Sequence, residues 1–512
     1  MKEWMSALFR QRKAIMQLAG SKKSPVLSPL FLIGFSSVVA QIVLMRELIV
    51  VCNGNEIALG LILASWLMWT AVGSGLGGRI TARFSSPRRT VAVLELLVAA
   101  ALPVSVFAAR ASRNVFHVTP GEVLGPGPML ITSVVTLSVF CVVSGALFAA
   151  GSRFYAAERR ASTTIATGSV YLLEAAGSAA GGVVSSLILI RLLPTFEIVL
   201  LVSILNVVVA WRLTRVGAVR YRVAPVLIVV VLIAFLWPLG GRALESLSNR
   251  VLWRGFDLVD VRNSIYGNLA VVATGDTRSI YENGVVLFSV PDREAAEESV
   301  HYALLEHQYP RSLLLIGGGM NGSLSEALKH EGLTLIDYVE LDPTIVELGR
   351  EYMHDEWSVV EADQRVNIHH TDGRLFLKRS RKKYDVIIVN LPDPQTAQFN
   401  RFYTEECFRE AAARLAPGGV FSFRVTGAEN YISEDLAGFL KCINKTVRAI
   451  YPRVTAIPGA TIHFFAAVER GATTSDSNVL LDRLHARGVE TDYVNESFVP
   501  FRMTPDRMEA HR

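Results

Sequence analysis

Long apolar runs fill the first half of the chain, and short polar loops separate them. Seven runs have lengths typical of membrane-crossing helices, at residues 28–52, 57–78, 90–109, 129–151, 164–191, 195–211 and 223–240. A helix needs roughly 20 apolar residues to cross a bilayer. Glycines recur at helix-packing spacing within these runs, as at Gly73 and Gly77 or Gly177 and Gly181. The pattern predicts an N-terminal polytopic α-helical membrane bundle of about seven spans over residues 28–240.

The second half of the chain carries short strand-like and helix-like patterns instead. Residues 241–310 predict a linker and a small β-hairpin region with a helix, in which Glu282, Asn283 and Gly284 form the turn. Residues 311–512 alternate apolar strands, at 312–316, 333–339, 365–370, 384–389 and 420–425, with helical segments. Regular alternation of this kind predicts a C-terminal α/β Rossmann-like domain with a mostly parallel sheet.

Composition narrows the class of protein further. Hydrophobic residues make up 51% of the chain, which is high for a protein without membrane spans. The net charge is only +5, and the basic residues cluster in loops that flank the apolar runs, so nucleic-acid binding is not expected. The four cysteines are scattered without a CxxC pair. We therefore predict neither a metal site nor a disulfide framework.

The basic residues also bear on membrane orientation. The leader over residues 1–27 mixes apolar and basic side chains, which fits either an amphipathic helix on an anionic membrane surface or a merely basic leader. The positive-inside rule predicts an inner-membrane protein with a cytoplasmic N-terminus. Seven spans then place the C-terminal domain outside the cytoplasm, whereas a ligand made in the cytosol would require it inside. The side of that domain stays open at this stage.

Three of the apolar runs contain polar or ionisable residues, which are expensive inside a membrane. These include Arg46 and Glu47 in the first run, Glu95 in the third and Glu174 in the fifth. One interpretation is a path for a solute or a proton through the bundle. The other is a structural ion pair, such as Arg46 with Glu95 or with Glu174.

Residues suited to nucleoside binding follow successive predicted strands of the C-terminal domain. Ligands of open α/β sheets bind at the carboxyl ends of the strands, where glycines admit the ligand and an acidic residue holds ribose hydroxyls. Single Asp-Gly or Asp-Pro pairs are also common in turns, but several at successive strand ends favour a shared site. The candidates are Gly317, Gly318, Gly319 and Gly322 after the first strand, Glu340 after the second, Asp372 and Gly373 after the third, and Asn390 and Asp393 after the fourth.

These motifs resemble those of the spermidine synthases and related polyamine aminopropyltransferases. The resemblance rests on IGGGMNG, YVELD, HHTDG, DVIIVNLPDP and LAPGGVF, and the apolar half resembles the membrane-attached branch of that family. It implies the fold of adenosylmethionine-dependent methyltransferases, a decarboxylated S-adenosylmethionine co-substrate, a polyamine acceptor such as putrescine, and no metal. It also implies homo-oligomers, with the lipid bilayer as a further partner. Gly317, Gly318, Gly319, Gly322, Glu340, Asp372 and Gly373 would bind the nucleoside.

The resemblance is weaker in the part of the site that would hold the acceptor. Met320 and Asn390 stand where the family usually has aspartates, and the usual pocket tyrosine corresponds to His301 or Tyr302. We expect His301, Tyr302 and Met320 to contact the acceptor, and Asp393 with Asn390 to lie at the reacting atoms. Because an amide cannot take up a proton at neutral pH, the base would be Asp393 or His301.

Three functions remain open from the sequence. The first is aminopropyl transfer, or another transfer from an adenosyl cofactor, in a membrane-bound enzyme. The second is a catalytically diverged membrane protein that binds a ligand or supports assembly, because Met320 and Asn390 replace the usual acids. The third is transport through the bundle, which depends on its buried charges.

Overall fold

The computed structural model describes residues 27–214, 238–429, 431–469 and 471–510. The described residues form two compact units: the first contains residues 27–52, 57–119 and the described residues of 123–254, and the second contains residues 53–56, 120–122 and the described residues from 255 onward. The leader predicted over residues 1–27 and most of the seventh span predicted over 223–240 lie outside the described residues. Both therefore stay predictions.

The first unit is helical. Within the described residues, six helices are long and apolar enough to cross a membrane: α1 Leu27–Val51, α2 Glu56–Thr81, α3 Pro87–Val115, α4 Pro126–Arg159, α5 Thr163–Leu192 and α6 Thr195–Thr214. They correspond in order to the first six predicted spans. A further helix, α7 at Pro238–Leu252, packs against α3 and α6. Most of its residues lie where the sequence predicts the start of the linker.

Glycines allow two pairs of these helices to pack with their backbones in contact. A Cβ at Gly177 would meet the carbonyl oxygen of Phe31, and one at Gly34 would meet that of Glu174. A Cβ at Gly73 would likewise meet the carbonyl oxygen of Val142. The expectation that small residues bring helices together is confirmed for α1 with α5 and for α2 with α4.

A buried ion cluster joins four helices of the first unit. Arg110 on α3 donates from Nε to Glu47 on α1 at 2.7 Å and from Nη2 to Glu245 on α7 at 2.6 Å. Thr195, at the start of α6, donates to Glu47 at 2.7 Å. The ion pair of Glu47 is thus formed with Arg110, a residue that the sequence did not single out. Glu95 is fully buried, and neither of its carboxylate oxygens has a hydrogen-bond partner among the described residues.

The second unit begins with a four-stranded antiparallel sheet in the order β1-β2-β3-β4. Asn283 and Gly284 link the last two strands with φ values of +49° and +79°, as a tight two-residue hairpin requires. This hairpin was predicted, although the sequence suggested two long strands where the structure has four. They are β1 Asp257–Asn263, β2 Asn268–Thr274, β3 Thr277–Glu282 and β4 Val285–Val290. Helix α8 follows at Arg293–Glu306.

A seven-stranded sheet forms the rest of the second unit, in the order β10-β11-β9-β8-β5-β6-β7. The five strands from β9 to β7 run parallel, and β10 and β11 are antiparallel, which confirms the predicted α/β fold. The strands are β5 Ser312–Ile316, β6 Leu335–Glu340, β7 Val366–His370, β8 Tyr384–Val389, β9 Leu415–Thr426, β10 Arg453–Ile457 and β11 Thr461–Ala467.

Helices cover both faces of this sheet and bury its apolar strands. Asp342 and Asp372 start two of them as N-caps, accepting from the backbone N–H groups of Thr344 and Leu375. The helices are α9 Ser323–Leu328, α10 Pro343–Tyr352, α11 His354–Ala362, α12 Gly373–Arg379, α13 Ala397–Asn400, α14 Glu405–Ala412, α15 Glu434–Arg448, α16 Ser477–Ala486, α17 Phe498–Arg502 and α18 Pro505–Ala510. The carboxyl ends of the parallel strands are left open for a ligand.

Candidate active site

The glycine-rich turn after β5 lies directly against the end of β8. Gly317, Gly318 and Gly322 have φ values of +71°, +64° and +100°, a region that favours glycine. A Cβ at Gly318 would lie 2.5 Å from the carbonyl oxygen of Asn390. The N–H of Gly317 donates to the carbonyl of Val339 at 3.0 Å, which fixes the turn beside β6. Glycine is therefore required here both by conformation and by space.

Glu340 ends β6 with its carboxylate buried beside this turn. Its Oε2 accepts a hydrogen bond from the hydroxyl of Tyr338 at 2.9 Å, and its Oε1 lies 3.4 Å from the backbone nitrogen of Asp342. Burial raises the pKa of Glu340 to about 7, because a charged carboxylate is poorly solvated there. The side chain is held in one orientation while Oε1 keeps acceptor capacity for a ligand.

A second buried carboxyl group, Glu282, comes from the small sheet. Glu282 ends β3 and is only 8% exposed. Burial, followed by the negative charge of Glu340, raises the pKa of Glu282 to about 7. The amide of Gln398 approaches one of its oxygens at 3.5 Å. Two carboxyl groups with raised pKa values in one cleft are typical of a functional site.

These groups line one pocket that is partly open to solvent. The pocket brings together five predicted site residues, Gly317, Gly318, Glu340, Gly373 and Asn390, and adds Glu282. Apolar side chains form much of the remaining wall, among them Leu287, Phe288, Ile316, Val339, Ile345, Leu391, Phe399 and Phe402. An apolar cavity with a few convergent polar groups is the usual form of a small-molecule site.

Asp372 supports the pocket from just outside its wall. Its Oδ1 accepts from the backbone N–H of Leu375 at 2.9 Å, and its Oδ2 forms an ion pair with Arg401, which does line the pocket. Although burial opposes it, the hydrogen bond from Arg401 holds the pKa of Asp372 below its usual value. Asp372 is therefore an N-cap and an anchor for Arg401 in this structure.

Most of the residues that line this pocket lie in a part of the chain that matches a known family. Residues 294–473 match the model of the spermine/spermidine synthase domain. The matched range includes the glycine turn, Glu340, Asp372 and Asn390. This region is similar to the spermidine-synthase-like family.

Individual relatives of the spermidine-synthase-like region are polyamine aminopropyltransferases. That of Oceanobacillus iheyensis is 30% identical over 174 residues, covering 33% of this chain but only 34% of the relative. That of Prochlorococcus marinus is 24% identical over 256 residues, covering 49% of this chain and 87% of the relative. Spermidine synthase 1 of Hyoscyamus niger is 29% identical over 255 residues, covering 48% and 76%.

A solved spermidine synthase from Thermotoga maritima is also similar to this chain. It aligns with a TM-score of 0.42 and 21% identity, over 50% of this chain and 87% of the other.

In the spermidine-synthase-like region, Asn390 directly follows β8, and two neighbouring side chains hold its amide. Asn390 Oδ1 accepts from Nε of Arg424 at 2.6 Å, and Asn390 Nδ2 donates to Oγ of Ser323 at 3.2 Å. Asp393 Oδ1 accepts from the backbone N–H of Thr426 at 2.9 Å. Within the described residues, hydrogen bonds engage one carboxylate oxygen of Asp393 but both polar atoms of the Asn390 amide.

The three residues predicted to contact the acceptor do not line the pocket. His301 is fully buried, with its ring nitrogens 2.8 Å from His330 and 3.0 Å from Glu326. The ring of Tyr302 is also buried, and Met320 packs over Gly349. Gly319, Gly322, Asp372 and Asp393 are likewise outside the pocket wall. Roles for these residues in a separate acceptor subsite stay predictions.

Sequence reasoning missed Glu282, Arg401 and Arg424. One sequence feature could have identified Glu282 as a site residue: it is an acidic residue directly after buried positions in a predicted strand. Arg401 and Arg424 carried none, because their partners are distant in the chain. Groups of His, Cys, Asp and Glu suited to a metal ion do not occur among the described residues.

Proposed function

We propose that the second unit binds decarboxylated S-adenosylmethionine and transfers its aminopropyl group to an amine. The observation that carries this proposal is the pocket in which Glu340 and the Gly317–Gly318 turn face one cavity. The family of residues 294–473 supports it, as do the aminopropyltransferases among the relatives. Because the chain spans only about a third of the Oceanobacillus iheyensis relative, the activity is proposed for this chain on its own residues.

The pocket residues fit an adenosyl nucleoside. Glu340 Oε1 has a long contact of 3.4 Å with the Asp342 nitrogen, and a carboxylate oxygen can accept further hydrogen bonds from ribose hydroxyls. Apolar side chains such as Ile345 and Phe402 would enclose the base. Glu282 adds a second carboxyl group, and its charge would favour the cationic part of the donor. The nucleoside half of the site therefore has an acceptor for the ribose and a low-polarity wall.

The proposed reaction is a single displacement. A bond forms between the acceptor nitrogen and the aminopropyl carbon, while the bond from that carbon to sulfur breaks and its electron pair returns to sulfur. The products are a substituted amine and methylthioadenosine, and one proton leaves the nitrogen. Since an ammonium is not a nucleophile, a base must take that proton. Asp393 is the carboxylate assigned to this step, because the amide of Asn390 cannot accept it.

We also propose that the six apolar helices of the first unit cross a membrane and attach the enzyme to it. Their length, composition and glycine-mediated packing support this proposal.

A second candidate is a protein that binds the nucleoside without transferring anything. The hydrogen bonds that hold Asn390 between Arg424 and Ser323 favour it, since they leave an amide where the reaction needs a base. In that case the pocket would serve as a ligand sensor or an assembly site.

Calorimetric titration of the full-length protein in detergent separates the two candidates. Methylthioadenosine and decarboxylated S-adenosylmethionine are titrated first, and an amine is then added with product detection by mass. Binding followed by an aminopropylated product supports the transferase. Binding without any product for a broad set of amines supports the second candidate. If folded protein bound neither nucleoside, both would be excluded.

A further inference from the structure

An arginine stands beside Asn390 at the open edge of the sheet. The pairing of β8 with β9 places Val389 opposite Phe423, so the next residues, Asn390 and Arg424, lie side by side. Nε of Arg424 donates to Oδ1 of Asn390 at 2.6 Å. The guanidinium group is thereby fixed beside Asn390, which lines the pocket and which we expect to lie at the reacting atoms.

Three carboxylates, Asp393, Asp292 and Glu298, act on the charge of this arginine without forming an ion pair with it among the described residues. Glu298 pairs with Arg502 at 2.6 Å and lies 3.3 Å from Nε2 of His463. Asp393 accepts from the N–H of Thr426. Among the ion pairs of the described residues, none includes Arg424, so its Nη groups keep their capacity for an anion.

The charge of Arg424 discriminates between classes of acceptor. A diamine would bring a second ammonium group toward a fixed guanidinium, and like charges at close range repel. A carboxylate at the same end of the acceptor would instead form a charge-assisted, bidentate pair with the Nη groups. The reacting amine at the other end is the same in both classes of acceptor.

We propose that the acceptor carries a carboxylate that binds Arg424, which makes it an amino acid with a terminal amine instead of a diamine. This inference rests on the proposed transferase function, because it names the acceptor of the same site. Arg424 acts as a specificity residue, and it does not itself line the nucleoside half of the pocket.

Two acceptors of equal chain length test the proposal. 4-Aminobutanoate and putrescine both carry a primary amine on a four-carbon chain, but they differ in the group at the other end. Each is titrated into the full-length protein saturated with methylthioadenosine, and each is assayed for aminopropylated product. We expect 4-aminobutanoate to bind at least about tenfold more tightly and to be the better acceptor.

Variants of Arg424 test whether the preference for 4-aminobutanoate depends on the guanidinium group. Arg424→Gln should abolish the tenfold preference, Arg424→Lys should retain part of it, and exposed Arg453→Gln should leave it unchanged. The affinity for methylthioadenosine, measured for each variant, reports whether the pocket is still folded. A preference of the unchanged protein for putrescine, a carboxylate preference that survives Arg424→Gln, or no binding of either amine would overturn the inference. Failure to bind methylthioadenosine would instead overturn the proposed function.

Discussion

The hydroxyl of Tyr338 donates a 2.9 Å hydrogen bond to Oε2 of Glu340, two residues further along the same strand. Both side chains are buried, and the ring of Tyr338 also lies where a Cβ at Gly319 would come within 2.6 Å of it. One aromatic side chain therefore packs under the glycine turn and orients the carboxylate that faces the pocket. This arrangement links the glycine turn to the carboxylate of the proposed nucleoside site.

Replacing Glu340 should weaken nucleoside binding. Glu340→Gln removes a charged acceptor and gives the ribose hydroxyls a weaker one, so we expect about a 10- to 100-fold loss of affinity for methylthioadenosine, in line with roughly 1.5–3 kcal/mol for hydrogen bonds to charged groups. Glu347→Gln, an exposed carboxylate on α10, is the matched control. Calorimetry that showed equal affinity for both variants would remove Glu340 from the site.

Nucleoside binding should depend on pH near neutrality. Because the pKa of Glu340 is raised to about 7, its carboxylate is charged above that pH and protonated below it. Affinity should therefore fall as the pH is lowered from 8 to 6. Glu282→Gln removes a neighbouring negative charge that disfavours ionisation of Glu340, so the midpoint of the fall should move to lower pH. A midpoint that stayed in place or moved upward in titrations across this range would contradict the assignment.

The glycine turn should not tolerate a side chain at Gly318. In Gly318→Ala the added Cβ would lie 2.5 Å from the carbonyl oxygen of Asn390, on a residue with φ of +64°. We expect a loss of at least about 1–3 kcal/mol of stability together with weaker nucleoside binding. The control is Gly438→Ala, where a Cβ meets nothing within 4 Å inside a helix. That change should stabilise the protein by about 0.5–1 kcal/mol. Thermal unfolding and calorimetry on both variants measure the contrast.

Removal of Arg110 should destabilise the helical unit. Arg110→Met leaves the buried carboxylates of Glu47 and Glu245 without their cation, which costs about 3–5 kcal/mol in comparable buried pairs. Neutralising both acids in the same protein, with Glu47→Gln and Glu245→Gln, should recover much of the loss. Exposed Arg79→Gln serves as the control. Thermal unfolding in detergent would refute the cluster's structural role if Arg110→Met behaved like the control.

For the proposed membrane-attached protein, the side of the membrane on which the second unit lies can be measured with reporter fusions. A transferase that uses an adenosyl donor made in the cytosol requires this unit to be cytoplasmic. A reporter active only in the cytoplasm, fused after Arg512, should therefore be active in cells. A reporter active only outside the cytoplasm, fused at the same position, is the control. Activity of the second reporter alone would support the orientation that the loop charges predict, with the second unit outside the cytoplasm. It would also support the non-catalytic alternative.

Local pattern in the sequence was sufficient for the elements and for half of the site. Apolar runs of strand length, the Asn283-Gly284 turn and the glycines after β5 depend on neighbouring residues, so they can be read along the chain. Glu340 and Asn390 were found for a related reason: parallel strands bring their carboxyl ends to one edge, whichever residues lie between. The first six predicted spans correspond to helices because length and hydropathy are also local properties.

Tertiary structure alone decided which charged groups meet. Glu47 and Arg110 are 63 positions apart, and Asn390 and Arg424 are 34 apart. Glu282 reaches the nucleoside pocket from a different sheet. Nothing in the chain near Arg424 indicates that its partner is an amide, and nothing near Glu47 selects Arg110 over Arg46. The energy of a charge depends on what surrounds it in space, and folding sets that environment through contacts between residues distant in sequence.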